Sequence, residues 1–352
     1  MPPLKIVVCE AQVPFVEGGA ESHVRQLIER LRARGHQVSL VAIPFKWYPK
    51  EEILAHAAAW RLIDLSESNG EPIDLVIATK FPTYFARHPN KVTWLIHQYR
   101  AAYELCGTVY SDFEYTERDV GLRDRLMRAD RQMLLESRRI FTNAANTARR
   151  LEKFLGVAAE PLYHPPRLGE RLRAGRYDPY VLSVGRIESI KRVDLAIRAL
   201  QLTEPPLRLV VVGTGSQHAH AVRAARESGV ADRVDFLGSV DDERLIGLYA
   251  DALAVIYAPF DEDFGYVTLE AFLAAKPVLT ATDSGGPLEF VRDRVNGRVA
   301  EPTAEAIGAA IRELAADPGL ARTWGEAGRV RAKDITWDGV VDKLVLGTQP
   351  GT

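Results

Sequence analysis

The sequence predicts an α/β protein made of two Rossmann-like, doubly wound domains facing across a cleft. Three observations carry that expectation. The chain has 352 residues, 47% of them hydrophobic, which is material for two domains of ordinary size. Short apolar runs alternate with amphipathic helical stretches through both halves, the pattern of parallel sheets covered on both faces. A Pro- and Arg-rich segment near the middle breaks the rhythm. The boundaries that follow are 1–165 for the first domain, 166–179 for a linker and 180–334 for the second.

Taken in order, Leu4–Cys9 reads as a buried strand. Gly18 and Gly19 follow in a loop, then a helix over Ala20–Arg34 closed by Gly35. Val38–Ile43, Ile73–Ala78, Val92–Ile96 and Ile140–Thr142 are further strands, with helical runs over Glu51–Leu65, Asp112–Ser137 and Thr147–Leu155. Pro165, Pro166, Gly169, Gly175 and Pro179 interrupt the alternation and suggest the linker. In the second half Tyr180–Val184, Leu207–Val212, Val234–Leu237, Ala254–Tyr257 and Pro277–Ala281 read as strands, and everything from Thr303 onward as helix.

Composition excludes several classes. The net charge of −2 offers no basic field for nucleic acid. Two cysteines, Cys9 and Cys106, make a disulfide scaffold improbable and fit a reducing cytoplasm. The N-terminal run lacks a signal-peptide layout and no stretch is long enough to span a bilayer, so the expected location is cytoplasmic, with at most peripheral contact at the inner membrane face. The arginines of the 112–137 helix could grip an anionic lipid-linked acceptor; interspersed Asp119, Asp124 and Asp130 favour instead a solvated face with ion pairs. His218 and His220 read as a solvated helix face rather than a metal site.

The chemistry concentrates between Asp261 and Thr282. A strand ends at Pro259, a helix begins near Tyr266, and Glu262 and Glu270 flank the join. The backbone N–H groups of Phe264, Gly265, Tyr266 and Val267 fall where a new helix leaves donors unpaired, an arrangement that attracts phosphate. Phosphate donors beside two carboxylates suit a ligand with phosphates and several hydroxyls, such as a nucleotide sugar. Arg186 and Lys191, between a strand end and a helix, are long cations able to reach a diphosphate. Gly213-Thr214-Gly215 lacks the third glycine of a dinucleotide fingerprint. Asp261-Glu262-Asp263 spells a D-x-D pattern that elsewhere holds a divalent cation, but Arg186, Lys191 and the helix end already supply positive charge there, so no metal is expected.

SVGRIESIKRVD, VVVGTGS, VDFLGSV, APFDEDFGYVTLEAFLAAKPVL and SGGPLEFVRDRVNGRV, in that order and spacing, resemble the retaining GT-B-fold glycosyltransferases of the large group-1 family. PFVEGGAESHVRQLIERLRARGHQVSL resembles that family's N-terminal signature. The resemblance implies a donor of the UDP- or GDP-sugar type and no cofactor. It puts Gly18 and Gly19 by the donor phosphates, Arg186 and Lys191 on the leaving diphosphate, Gly213 and Gly238 beside the nucleotide, and His97 against the transferred sugar. Glu262 would hold sugar hydroxyls and Glu270 the ribose diol. A final helix over 337–346 would return to the first domain. The implied activity is transfer of a hexose-type sugar to a glycan, lipid-linked or small-molecule acceptor. A sugar-nucleotide epimerase on the same fold, or a non-catalytic nucleotide-sugar binder, are the alternatives.

Overall fold

In the computed structural model, which describes residues 2–15 and 18–346 (the side chain of Leu346 excepted), the chain divides into two compact units. One takes in Met1–His164 and Thr336–Thr352, the other Pro165–Ile335. The first unit runs β1 (Lys5–Gln12), α1 (Gly19–Ala33), β2 (Gln37–Pro44), α2 (Ile53–Arg61), a small antiparallel pair β3 (Glu67–Ser68) and β4 (Glu71–Pro72), β5 (Leu75–Ala78), β6 (Lys91–Leu95), α3 (Glu117–Leu135), β7 (Arg139–Thr142), α4 (Ala145–Leu155) and β8 (Glu160–Pro161). The second runs β9 (Asp178–Val184), α5 (Val193–Gln201), β10 (Arg208–Val212), α6 (His218–Glu227), β11 (Val234–Gly238), α7 (Asp242–Asp251), β12 (Ala252–Ile256), α8 (Tyr266–Leu273), β13 (Val278–Ala281), β14 (Gly297–Ala300), α9 (Ala304–Ala316) and α10 (Pro318–Lys333).

Each unit holds one six-stranded parallel sheet, in the order β2-β1-β5-β6-β7-β8 and β11-β10-β9-β12-β13-β14. The strands are apolar along their length because helices cover both faces: β5 is buried at every position and so is β12. In both sheets the strand order reverses direction, between β1 and β5 in the first and between β9 and β12 in the second. Ligands of such sheets bind at the carboxyl ends of the strands at that reversal, so topology names one place to search in each unit.

The last helix, α11 (Trp337–Leu346), belongs to the first unit. Trp337, Val340, Val341, Leu344 and Val345 are buried with Ile6, Val8 and Trp94, and the Trp94 and Trp337 rings lie 6.0 Å apart. Arg34 at the end of α1 donates to Asp338 at 2.9 Å and to Asp342 at 3.1 Å.

Two expectations need correction. The segment 166–179 is not a free linker. Arg167 forms a bidentate pair with Asp242, Arg171 pairs with Glu243 at 2.7 Å, and the Tyr177 hydroxyl donates to the Ala275 carbonyl at 2.7 Å. Its last residues enter β9. The prolines and arginines that look like a linker in sequence fix the segment onto the second unit. Nor is α3 an evenly solvated face. Asp119 is buried beside Lys50 at 2.8 Å, and Asp130 is fully buried, accepting from the Tyr103 hydroxyl at 2.5 Å.

Burial raises the Asp130 carboxyl to about 7. It therefore stays protonated in the fold up to neutral pH, whereas the unfolded chain releases the proton near the ordinary carboxylate value. Asp130 thus costs stability progressively as pH rises from about 4 to about 7, and the cost is constant above that. Asp130→Asn should raise the melting temperature at neutral and alkaline pH and change it little in acid, as thermal scans across a pH series would read.

Candidate functional site

At the carboxyl ends of β9 and β12, where the second sheet reverses, Gly185, Arg186, Lys191, Arg192, Tyr257 and Ala258 line a pocket. Three glycines stand side by side there. Gly185 N–H bonds the Val212 carbonyl at 3.0 Å, and Gly213 N–H bonds the Gly238 carbonyl at 2.8 Å. A β-carbon on Gly213 would lie 2.0 Å from the Gly185 carbonyl oxygen, so only glycine lets these strand ends close up. Gly213 and Gly238 are thus brought together at one sheet edge. His218 and His220 are exposed on α6.

A short 3₁₀ turn, Ser189–Lys191, follows β9 and carries Lys191 inward. Its ammonium bonds the Glu262 carboxylate directly and the Tyr257 hydroxyl at 3.2 Å. Both members of the ion pair are mostly buried, 18% and 15% exposed at the side chain, where an ion pair is screened less than at the surface. Glu262 is fixed by its backbone as well: its N–H donates to the Ser284 carbonyl at 2.9 Å and its carbonyl accepts from Gly286 at 2.8 Å. Burial and the adjacent Glu262 carboxylate hold the Tyr257 phenol well above its ordinary value, so it stays neutral and can donate.

Arg186 is the complement of Lys191. Its side chain is exposed, and among the described residues it has no hydrogen-bond or ion-pair partner. A charged fork held at a pocket rim without an internal partner is available to an anion.

The helix α8 is preceded by Gly265, whose φ of 82° is left-handed and whose missing β-carbon would otherwise stand 3.0 Å from the Tyr257 ring. No side chain caps this end. The amides of Tyr266 and Val267 therefore lie at a helix start with a positive partial charge. Phe264, at 2% exposure, is wedged edge-on between the rings of Tyr266 and Phe290 and anchors the loop. Along α8, Glu270 accepts from the Tyr249 hydroxyl at 2.7 Å. Burial pushes its carboxyl up, while the Tyr249 hydrogen bond and the charge of Arg167 pull it back.

Several contributors escaped the sequence reading. Arg192 adopts left-handed φ of 51°, forks onto Asp283 at 2.8 and 2.6 Å, and caps the Ala258 and Pro259 carbonyls at 2.8 and 2.7 Å. It clamps the loop that carries Glu262 onto the turn that carries Lys191. Tyr249 and Tyr257 were also missed. A tyrosine directly after a parallel strand, as Tyr257 follows β12, is the signal that could have found one of them.

The remaining predicted residues, Gly18, Gly19 and His97, belong to the first unit. Gly18 caps α1 in extended conformation at φ −156°, and Gly19 opens the helix; neither has positive φ. Their conformation alone thus gives no reason for glycine. His97 lies just beyond β6, its Nδ1 2.8 Å from the Gln98 carbonyl, at the wall of a cavity at the first sheet's reversal. Among the described residues no group of three or more His, Cys, Asp or Glu is placed to hold a metal, and no helix is long and apolar enough to cross a membrane.

Residues 170–331 match the family model described as glycosyl transferases group 1, and residues 17–167 match glycosyltransferase family 4. The chain is 33% identical over 170 residues to the alpha-1,3/1,6-mannosyltransferase ALG2 of Homo sapiens, covering 44% of this chain and 41% of that protein. It is 31% identical over 245 residues to the D-inositol 3-phosphate glycosyltransferase of Nocardia farcinica, covering 61% of this chain and 53% of that one. The chain thus spans about half the length of these curated relatives. Among solved structures, the sucrose-phosphate synthase of Thermosynechococcus elongatus superposes with a TM-score of 0.75 at 20% identity, covering 96% of this chain and 97% of that one, a likeness of fold.

Proposed function

Because the chain belongs to the group-1 glycosyltransferases, we propose that it moves a hexose-type sugar from a nucleoside diphosphate sugar to a hydroxyl of an acceptor, with retained anomeric configuration. The observation that carries the proposal is the Lys191–Glu262 pair beside the uncapped start of α8 and the unpartnered Arg186, all at or near the second sheet's reversal. In this reading Arg186, Lys191 and the α8 amides neutralise the diphosphate as the glycosidic bond breaks. Glu262, oriented by Lys191, holds hydroxyls of the donor sugar. Glu270, oriented by Tyr249, holds the ribose diol. The leaving diphosphate takes the acceptor proton on the same face, so no protein nucleophile is needed and positioning supplies much of the rate. A cytoplasmic location is part of the proposal, and the two buried free thiols, Cys9 and Cys106, support it.

The test is a thermal-shift panel of uridine and guanosine diphosphates and their sugars on the full chain. A saturating ligand at a hundred times its dissociation constant stabilises by ~2.7 kcal/mol, so one base should raise the melting temperature clearly above the other. Release of nucleoside diphosphate that rises when acceptor is added identifies transfer. A panel with no response from any nucleotide would remove the proposal.

The proposal also makes a metal redundant, since Lys191, Arg186 and the helix end already provide the charge. Turnover should survive EDTA within about a few-fold, against the far larger loss expected where a cation supplies the charge stabilisation. Abolition by chelator and recovery with Mn²⁺ would reject this part of the mechanism.

A further inference from the structure

The first sheet has its own reversal, between β1 and β5, and a cavity of about 320 Å³ opens there. That volume falls in the range, roughly 300–1,000 Å³, of small-molecule sites. It lies wholly within the first unit, and of the residues read as touching the donor only His97 lines it. Phe45, Phe81 and Tyr99 line it and brace one another: Phe45 meets Phe81 at 5.6 Å and Tyr99 at 6.3 Å edge to face, and Phe81 lies tilted against Tyr99 at 5.7 Å. Trp47, 40% exposed, stands among the lining residues as a ring open to solvent.

The cations of this wall are already neutralised. Lys80 donates to Glu21 at 2.6 Å with both side chains nearly buried, and Glu10, itself buried, adds a second carboxyl within electrostatic reach of Lys80. Arg100 donates to Glu104 at 2.5 Å, and Glu104 is also paired with Arg150 at 3.3 Å. A phosphate or carboxylate entering here would find the lining cations, Lys80 and Arg100, already engaged by the carboxylates of Glu21 and Glu104. What the wall does leave open is neutral: Gln98 is fully buried, and neither atom of its side-chain amide is bonded among the described residues.

We propose that this cavity receives an uncharged acceptor bearing an aromatic ring, which packs against the braced rings, and that it disfavours phosphorylated acceptors. The proposal rests on the glycosyltransferase reading for the word acceptor, not for the binding itself. Aromatic faces and edges suit another aromatic ring. A bare polyhydroxylated ring would bury hydroxyls against phenyl edges, and each one left unpaired weakens binding about tenfold.

The test is direct binding to the full chain, without donor, of phenyl β-D-glucoside, methyl β-D-glucoside and phenyl phosphate, with a nucleoside diphosphate titrated into the same sample. Phenyl β-D-glucoside should bind about tenfold or more tightly than either of the others, since its ring adds buried apolar area and it carries no charge. Trp47→Ala, at a partly exposed position that the fold does not need, should weaken phenyl β-D-glucoside by about threefold to tenfold and leave nucleoside diphosphate binding unchanged. Phenyl phosphate binding as well as the glucoside, methyl glucoside matching phenyl glucoside, or indifference to Trp47→Ala would each overturn the assignment. Failure of aryl binding with nucleoside diphosphate binding intact overturns this inference alone. Failure of nucleoside diphosphate with aryl binding intact overturns the donor reading and upholds the cavity.

Discussion

Lys191→Met is expected to reduce turnover by about a hundredfold or more, the scale seen when one preorganised donor to developing charge is removed. The side chain is nearly isosteric, so packing is kept and only the ammonium is lost. Its partners make the consequence specific. Glu262 would remain behind, mostly buried, without the cation that now touches it, and Tyr257 would lose its contact at 3.2 Å. Breaking a buried pair from one side costs about 3–5 kcal/mol, and a site this near a pocket mouth falls at or below the lower figure. The Lys191→Met, Glu262→Gln double variant should therefore recover melting temperature and not turnover. Steady-state kcat with paired thermal melts reads both. Retention of turnover within about tenfold in the single variant would show that Lys191 is structural.

The second large effect separates the two glutamates. Glu270→Ala should weaken nucleoside diphosphate itself by about tenfold to a hundredfold, the loss of a charged hydrogen bond of about 1.5–3 kcal/mol. On the proposed roles, with the Glu262 carboxylate holding the sugar and not the nucleotide, Glu262→Ala should spare nucleoside diphosphate and lose turnover. Isothermal titration of each variant with nucleoside diphosphate and with nucleotide sugar distinguishes them. Equal damage to diphosphate binding by both changes would end this division of roles. The environments already differ: Glu262 is held by a cation, Glu270 by the neutral Tyr249 hydroxyl in a setting that pushes its carboxyl up.

Much of this was legible in the chain because parallel sheets write themselves as apolar runs between amphipathic helices. β1, β9, β10 and β12 each fall on such a run, and Gly185, Arg186, Gly213 and Tyr257 sit just past the ends of the last three. Lys191 and Glu262 were legible as residue types at strand–helix joins, but their contact was not, since 71 residues separate them and only the parallel pairing of β9 with β12 makes them neighbours. Arg192 was illegible for a different reason. Its role depends on a left-handed backbone that arginine seldom adopts, and on Asp283 from a remote loop. The 166–179 segment misled because proline and arginine report a break in regular structure, not whether the broken stretch is held. Asp119 and Asp130 misled because charge spacing describes a helix face without saying which way it turns. Their burial follows from packing that sequence spacing does not encode.

The return of α11 to the first unit carries a consequence for how the molecule is made. Its five buried apolar residues complete a core most of whose other members, among them Ile6, Val8, Leu27 and Trp94, lie in the early part of the chain. During synthesis those early residues leave the ribosome more than two hundred positions ahead of Trp337. The second unit, by contrast, is one uninterrupted stretch, Pro165–Ile335. Translation therefore delivers a complete second unit while the first still shows an open apolar face, the reverse of the usual N-terminal-first order of domain folding. The nascent chain must keep that face from associating with its neighbours until the last helix arrives to cover it.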